Sequence, residues 1–300
     1  MNSKMKRLLR SQVSYNFSRD TEPICHARNG ETLMVETPDC FGGAIGSELD
    51  THEKLDLEKV NGAVGPIYVE GAEPGGCLKV SILNIRILSI KGVMMTIPGF
   101  GLLKEQIKTG KTKICRISSN RVIFNEKIRI PLRPMIGTIG VAPAVGSVST
   151  ISPEAHGGNL DTKDVRAGSS AYFPVTVEGA LLGVGDCHAV MGDGEICVTG
   201  VEVPAQVTLR VQVLPEPKLS RPIIETKDEW MTVASGSTLE EAAKLAVGDM
   251  MNIVQRRLGM TAEDAYMFLS AAGDLRISQV VNPLVTVRMT ISKSYLKSAI

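Results

Sequence analysis

Alternation of apolar and polar residues is the feature that most limits the folds open to this chain. Cys77–Ile85 alternates at period two, and Val207–Leu214 does so again. That period sends successive side chains to opposite faces, so each segment reads as a half-buried strand rather than a helix. Gly65–Gly71 is a shorter strand between turn signals, and Val122–Phe124 with Lys127–Ile130 predicts a hairpin around Asn125-Glu126. Val93–Gly101 is apolar but broken by Pro98-Gly99, which places a loop there. Glycine at 29 of 300 residues, with 15 prolines, supplies the tight turns that many short strands need.

The tail changes character. Leu214-Pro-Glu-Pro-Lys-Leu-Ser-Arg-Pro222 interrupts any regular element and reads as a linker. Beyond it, Thr238 and Glu241 form a capping-box pattern ahead of Leu239, Ala243, Ala246, Met250, Val254 and Leu258 at helical spacing, with Gly259 as the stop. Thr261 opens a second, shorter helix ending near Gly273, and Val285–Ile291 alternates as a closing strand. The class is therefore mainly β with a smaller α+β element near the C-terminus. Three regions follow: a β-rich 1–150, a β region 151–215 carrying most of the polar constellations, and an α+β region 216–300.

Lys and Arg number 33 against 32 Asp and Glu, a balance that argues against a nucleic-acid or membrane-surface partner. No run approaches the roughly 18–20 apolar residues of a membrane span. The six cysteines form no C-x-x-C pair and no secretory signal precedes them, so a cytoplasmic protein with reduced thiols is expected. A β-rich surface with exposed edges suits a homodimer.

Two glycine-rich segments concentrate chemistry. His156-Gly157-Gly158-Asn159-Leu160-Asp161 sets an imidazole, an amide and a carboxylate around paired glycines that allow close backbone approach to a ligand. In Gly183–Val198, Asp193-Gly194 is a two-residue hairpin signal. That turn would face Val190 with Cys197 and His188 with Thr199. Asp186, His188 and Glu195 then share a polar face opposite Cys187, Ala189 and Met191. Asp186 and His188 lie roughly 7 Å apart in Cα position, within reach of one ion, but Glu195 falls roughly 13 Å away unless the hairpin curls. Asp193 reads equally well as a turn former. Asp39-Cys40-Phe41-Gly42-Gly43 adds a carboxylate and a thiol before a flexible turn.

These segments, with Gly65–Gly75, Pro98–Leu102 and Asp274–Val281, keep their order along most of the chain, and in them the sequence resembles the acetamidase/formamidase family. The resemblance implies a largely β fold with sandwich-like sheets. It also implies a cytoplasmic hydrolase that converts short aliphatic amides to ammonia and a carboxylate, and a divalent metal, zinc. Carried over residue by residue, the metal would be held by His188, Asp186 and His156, with Asp39 joining from the N-terminal part. Glu195 would move the proton, with Asn159 and Asp193 as further catalytic groups. Gly157, Gly158, Asp161 and Cys187 would contact the substrate, the glycine N–H groups or Asn159 supporting the oxyanion. Cys187 stands where the family usually has Gly, and Gly76 where it has Asp. Two rival readings are a metal-free amidase using Cys187 or another thiol, and a non-enzymatic β protein that binds a small amide or metal.

Overall fold

The computed structural model describes residues 5–216 and 218–300. The alternating segments are strands: Cys77–Ile87 and Ala205–Leu214 pair antiparallel along nearly their whole lengths. They lie inside a nine-stranded sheet that runs from Lys6–Leu8 through Thr32–Thr37, Ala205–Leu214, Cys77–Ile87, Ser170–Pro174, Ile223–Glu225, Glu229–Gly236 and Val285–Ser292 to Gly273–Gln279. This sheet draws strands from all three regions distinguished above. An eleven-stranded sheet holds Arg121–Ile123 and Arg129–Pro131 as the expected hairpin, and at its centre Leu182–His188 beside Met135–Gly140.

The two sheets face each other across one core. Leu33, Val35, Leu78, Val80, Val207 and Leu209 from the first meet Ile67, Ile136, Ile139, Leu182 and Val184 from the second, all fully buried. Area removed from water on both inner faces is the main stabilising term for such a sandwich. A second core lies on the far side of the nine-stranded sheet, where Trp230, Val287, Met289 and Ile291 are covered by α1 (Leu239–Leu258) and α2 (Ala262–Ala272).

The helix boundaries agree with the local signals. Thr238 Oγ1 accepts from Glu241 N at 3.1 Å, and the Glu241 carboxylate reaches back to Ser237 N at 2.8 Å. Gly259 closes α1 in the left-handed region at φ 67°. The buried stripe is rotated from the expected one: Ala242, Ala246, Met250, Ile253 and Val254 face the sheet, while Leu239 and Leu258 are exposed at the ends. Neither helix is long and apolar enough to cross a membrane.

Candidate active site

The central strand Leu182–His188 has one constant neighbour, Met135–Gly140, and two neighbours on its other side. Its first half pairs with Ala63–Val69, through Gly185↔Ala63, and its last two residues pair with Glu202–Val203. Asp186 falls in the gap where one partner stops and the next begins. There the sheet forks, and side chains can enter from above without displacing ladder hydrogen bonds.

The expected Asp193-Gly194 hairpin does not form. His188 faces Glu202 rather than Thr199, and residues 189–201 make a long loop closed by Ala189 N to Val201 O at 2.8 Å. Tertiary contacts outweigh the local turn preference. Gly194 N donates to Ser278 O, Val280 N donates to Gly194 O, and the Asp193 carboxylate is held by Arg288 at 2.8 Å and Lys163 at 2.8 Å. The loop curls Glu195 back over the strand, which closes the gap a flat hairpin would leave.

Four carboxylates converge on one imidazole. His188 Nε2 lies 3.2 Å from Glu202 Oε2, 3.3 Å from Asp186 Oδ1, 3.8 Å from Glu195 Oε1 and 3.9 Å from Asp161 Oδ1. All five side chains are buried. Cys40 joins Asp186 and Glu202 within ligand-sharing distance. Backbone conformation shows how tightly these groups are held: Asp161, Asp186 and Glu195 have φ values of 41°, 49° and 46°, in the left-handed region that non-glycine residues rarely occupy. Gly137, opposite Asp186, must be glycine, because a Cβ there would come within 2.7 Å of Asp186 Oδ2. Gly200 packs against the imidazole in the same way, 2.6 Å from Cβ position to Nδ1.

A second layer orients these groups. Asn282 Nδ2 donates to Asp161 Oδ2 at 2.7 Å and to Asn159 O at 2.9 Å. Asn61 Nδ2 donates to Asp186 Oδ2 at 3.3 Å. Thr138 Oγ1 donates to Asn159 Oδ1 at 2.5 Å, which leaves the amide nitrogen of Asn159 as the end free to face the cavity.

The electrostatics follow from burial and crowding of like charge. Burial, then the charge of Asp186, pushes Asp161 up to about 6. Burial and the Asp161 charge push Glu195 well above the carboxylate range. Glu202 rises to about 8, chiefly through burial, against the pull of His188. Burial alone would lower His188, but the charges of Glu202 and Asp186 raise it well above its ordinary value. Among the described residues, none of the four carboxylates is paired with a lysine or arginine.

These observations test whether a divalent cation fits. A single imidazole N–H cannot serve four carboxylate oxygens, and Asp161 Oδ1 and Glu202 Oε2 are buried without a hydrogen-bond partner. Imidazole and carboxylate donors are also the set that zinc and related ions take. Asp161, Asp186 and His188 have donor atoms that could share one ion, as do His188, Glu195 and Glu202. The residues fit.

The other residues expected at the site are placed differently. His156 is buried edge-on against Phe17, with ring centroids 5.0 Å apart. Its carbonyl faces Val141, six residues or ~20 Å along the chain from Met135, which faces His188. Gly157 and Gly158 serve close packing: a Cβ on Gly157 would come within 2.8 Å of Gly140 Cα, and Gly157 N is already bonded to Glu154 O. Asp39 caps its own loop, its Oδ1 accepting from Phe41 N and Gly43 N, yet it stays near enough to the cluster for the charge of Asp186 to add to burial in raising its pKa. Cys187 points into the inter-sheet core, where burial raises its thiol to about 12. Asp193 is an ion-pair partner, not a neighbour of the imidazole. Sequence reasoning missed Glu202, Asn61, Thr138 and Asn282, and it named Cys40 only as the neighbour of Asp39. A register that set His188 opposite Glu202 and Cys187 opposite Val203 would have matched polar with polar and apolar with apolar.

Above the acids opens a cavity of about 310 Å³, with Asp186, Glu195, Glu202 and Asn159 lining its floor. A buried acid–imidazole cluster under an open cavity is the layout of a hydrolytic enzyme. The chain matches the Acetamidase/Formamidase family over residues 3–148 and 144–294, and it belongs to that family. It is similar to the acetamidase from Bacillus halodurans, with 42% identity and a TM-score of 0.95 over 97% of this chain and 98% of the other. It is similar also to a recombinant predicted acetamidase/formamidase from Thermoanaerobacter tengcongensis, with 42% identity and a TM-score of 0.95 over 99% of each chain. The formamidase of Methylophilus methylotrophus is 24% identical over 87% of this chain and 83% of its own. The protein is an amidohydrolase.

Proposed function

We propose that this protein hydrolyses linear carboxamides to ammonia and a carboxylate by means of a divalent cation, zinc, held at the fork of the central sheet. The observation that carries this reading is the ring of four carboxylate oxygens within 3.9 Å of His188 Nε2. Asp161, Asp186 and His188, whose donor atoms lie close enough to share one ion, would hold it. Bound there, it supplies Lewis-acid polarisation of the carbonyl and a more acidic water.

The chain's own residues do the rest. Amide resonance makes the carbonyl a weak electrophile and ammonia a poor leaving group, so the site must move a proton as well as stabilise charge. Glu195, at the cavity floor, takes the proton of the attacking water as the C–O bond forms. It then delivers that proton to the nitrogen as the C–N bond breaks. Asn159, locked by Thr138, turns its N–H toward the carbonyl oxygen and stabilises the oxyanion. Asn282 and Asn61 hold Asp161 and Asp186 in place.

A thiol mechanism has less support. Cys187 is in the core, and Cys40 is pushed well above the usual thiol range by burial and the Glu202 charge, so neither rests as a thiolate nucleophile. In this reading the enzyme works in the cytoplasm as a homodimer, for which the edge strand Gly273–Gln279 offers exposed Leu275 and Ile277.

The test is ammonia release from formamide and acetamide by purified protein as isolated, after chelation and after adding back zinc, with metal content measured on the same samples. Activity that leaves and returns with the metal supports the proposal. Activity indifferent to chelation in metal-free protein overturns the metal, and no ammonia under any condition overturns amide hydrolysis.

A further inference from the structure

The cavity over the acids is built for more than a formyl or acetyl group. Formamide has no acyl carbon beyond its carbonyl, and acetamide adds one methyl. A cavity of about 310 Å³ reaches the size range of about 300–1,000 Å³ that holds drug-sized ligands. Its lining combines polar and apolar groups. Polar groups lie at the floor, where the carboxamide must sit. The sides are apolar, formed by Phe41, Leu55, Ile97, Ile151 and Val281, with Phe100 at 47% exposure among the residues around it. Phe41 belongs to a small apolar cluster separate from the main core, with Leu55 and Ile97 packed against it. This chain therefore carries a dedicated apolar wall next to its catalytic floor.

We infer that the preferred substrates are primary amides with an acyl chain of several carbons, the carboxamide on the acids and the chain along the Phe41–Leu55–Ile97 wall. The inference rests on the amidase reading above and names its substrate class. Each methylene moved from water onto such a wall is worth about 0.8 kcal/mol, or about fourfold in kcat/KM when the same contact is kept in the transition state.

The experiment is a series of straight-chain primary amides from formamide to hexanamide, followed by ammonia release. The expected result is a rise in kcat/KM of about fourfold per methylene from acetamide onward, levelling off where the chain fills the cavity. Val281→Phe and Leu55→Phe, which each put a ring into the apolar lining, should each lower the hexanamide-to-acetamide ratio of kcat/KM by tenfold or more. Activity that is greatest on formamide and falls with length overturns the inference and leaves amide hydrolysis standing. An unchanged ratio in both folded variants also overturns it. No ammonia from any amide removes the amidase reading, and the inference with it.

Discussion

Arg288 is fully buried, yet it lies two contacts away from the proton-moving group, and replacing it with Met separates positioning from chemistry. Its guanidinium donates to Asp193 Oδ1 at 2.8 Å, to Ile277 O at 2.9 Å and to Ser278 Oγ at 3.2 Å. Nε is 2.9 Å from Asp164 Oδ2, out of line for a hydrogen bond but within ion-pair range. Asp193 is two residues from Glu195, and Gly194 between them is bonded to Ser278 O. The arginine thus ties the loop that carries Glu195 to the nine-stranded sheet. Removing one partner of a buried ion pair costs about 3–5 kcal/mol. Asp193 is 32% exposed and keeps Lys163, so the lower end, about 3 kcal/mol, is expected. That is a large share of the ~5–15 kcal/mol typical of folded proteins, but it leaves the protein folded.

The catalytic effect comes from geometry. A drift of about 1 Å in Glu195 is enough to lower kcat about 10²-fold. Arg288→Met should therefore lose about 3 kcal/mol in urea unfolding, lose about 10²-fold in kcat and keep its metal content. Arg288→Lys restores the charge but not the fork and should recover only part of each. Asp193→Asn should cost about 1 kcal/mol and reduce kcat by no more than about tenfold. If Asp193 takes part in the chemistry, that variant instead drops in kcat by about 10³-fold or more at unchanged stability. An Arg288→Met protein with wild-type kcat and unfolding midpoint would refute the clamp.

Other expectations are simpler. Glu195→Gln should keep bound metal and reduce ammonia release by about 10²–10⁴-fold; full turnover in that variant removes Glu195 from its role. His188→Ala should lose the metal outright, read by elemental analysis of the purified protein. Gly137→Ala would press a methyl group against Asp186 and should weaken metal affinity by about 10–100-fold, measured by competition with a chelating dye. His156 is held neutral, its pKa lowered to about 4 by burial. Between about 6.5 and 4 the unfolded chain binds a proton that the folded one refuses, so the stability present above pH 6.5 is lost as the pH falls to 4. His156→Phe should flatten about 2 kcal/mol of that acid loss in urea titrations at pH 7 and 4.5, and an unaltered slope would show that His156 titrates normally.

Much of the architecture was legible because the signals were local. Period-two alternation located the strands Cys77–Ile87 and Ala205–Leu214, and the Thr238, Gly259 and Thr261 caps set both helices to within a residue. Asp186 and His188 were legible as a pair because two residues along one strand always share a face. Glu202 and Asn282 were not, because each reaches the site through tertiary pairing: Glu202 across a register that no turn residue encodes, Asn282 from a loop after the strand Gly273–Gln279. Asp39 and Cys40 stood out together, but a side chain capping its own loop and one entering the site look alike in a string.

The misread hairpin carries a physical lesson about where function sits in this fold. Asp193-Gly194 is a strong local turn former, and the loop still forgoes the tight hairpin for Arg288, Lys163 and the Ser278 carbonyl. What the loop gains is Glu195 over His188, at the expense of a left-handed backbone at φ 46°. Asp161 and Asp186 bear the same conformation within the same cluster. Three acids in disfavoured backbone wells, buried against one another, would drive local unfolding in an isolated segment. They persist because the fork of the central strand, the Asn61 and Asn282 amides and the Arg288 clamp fix the backbone from outside the cluster. Local preference and global structure disagree most sharply where the acids must face one another, and a cation bound between them would turn that repulsion into affinity.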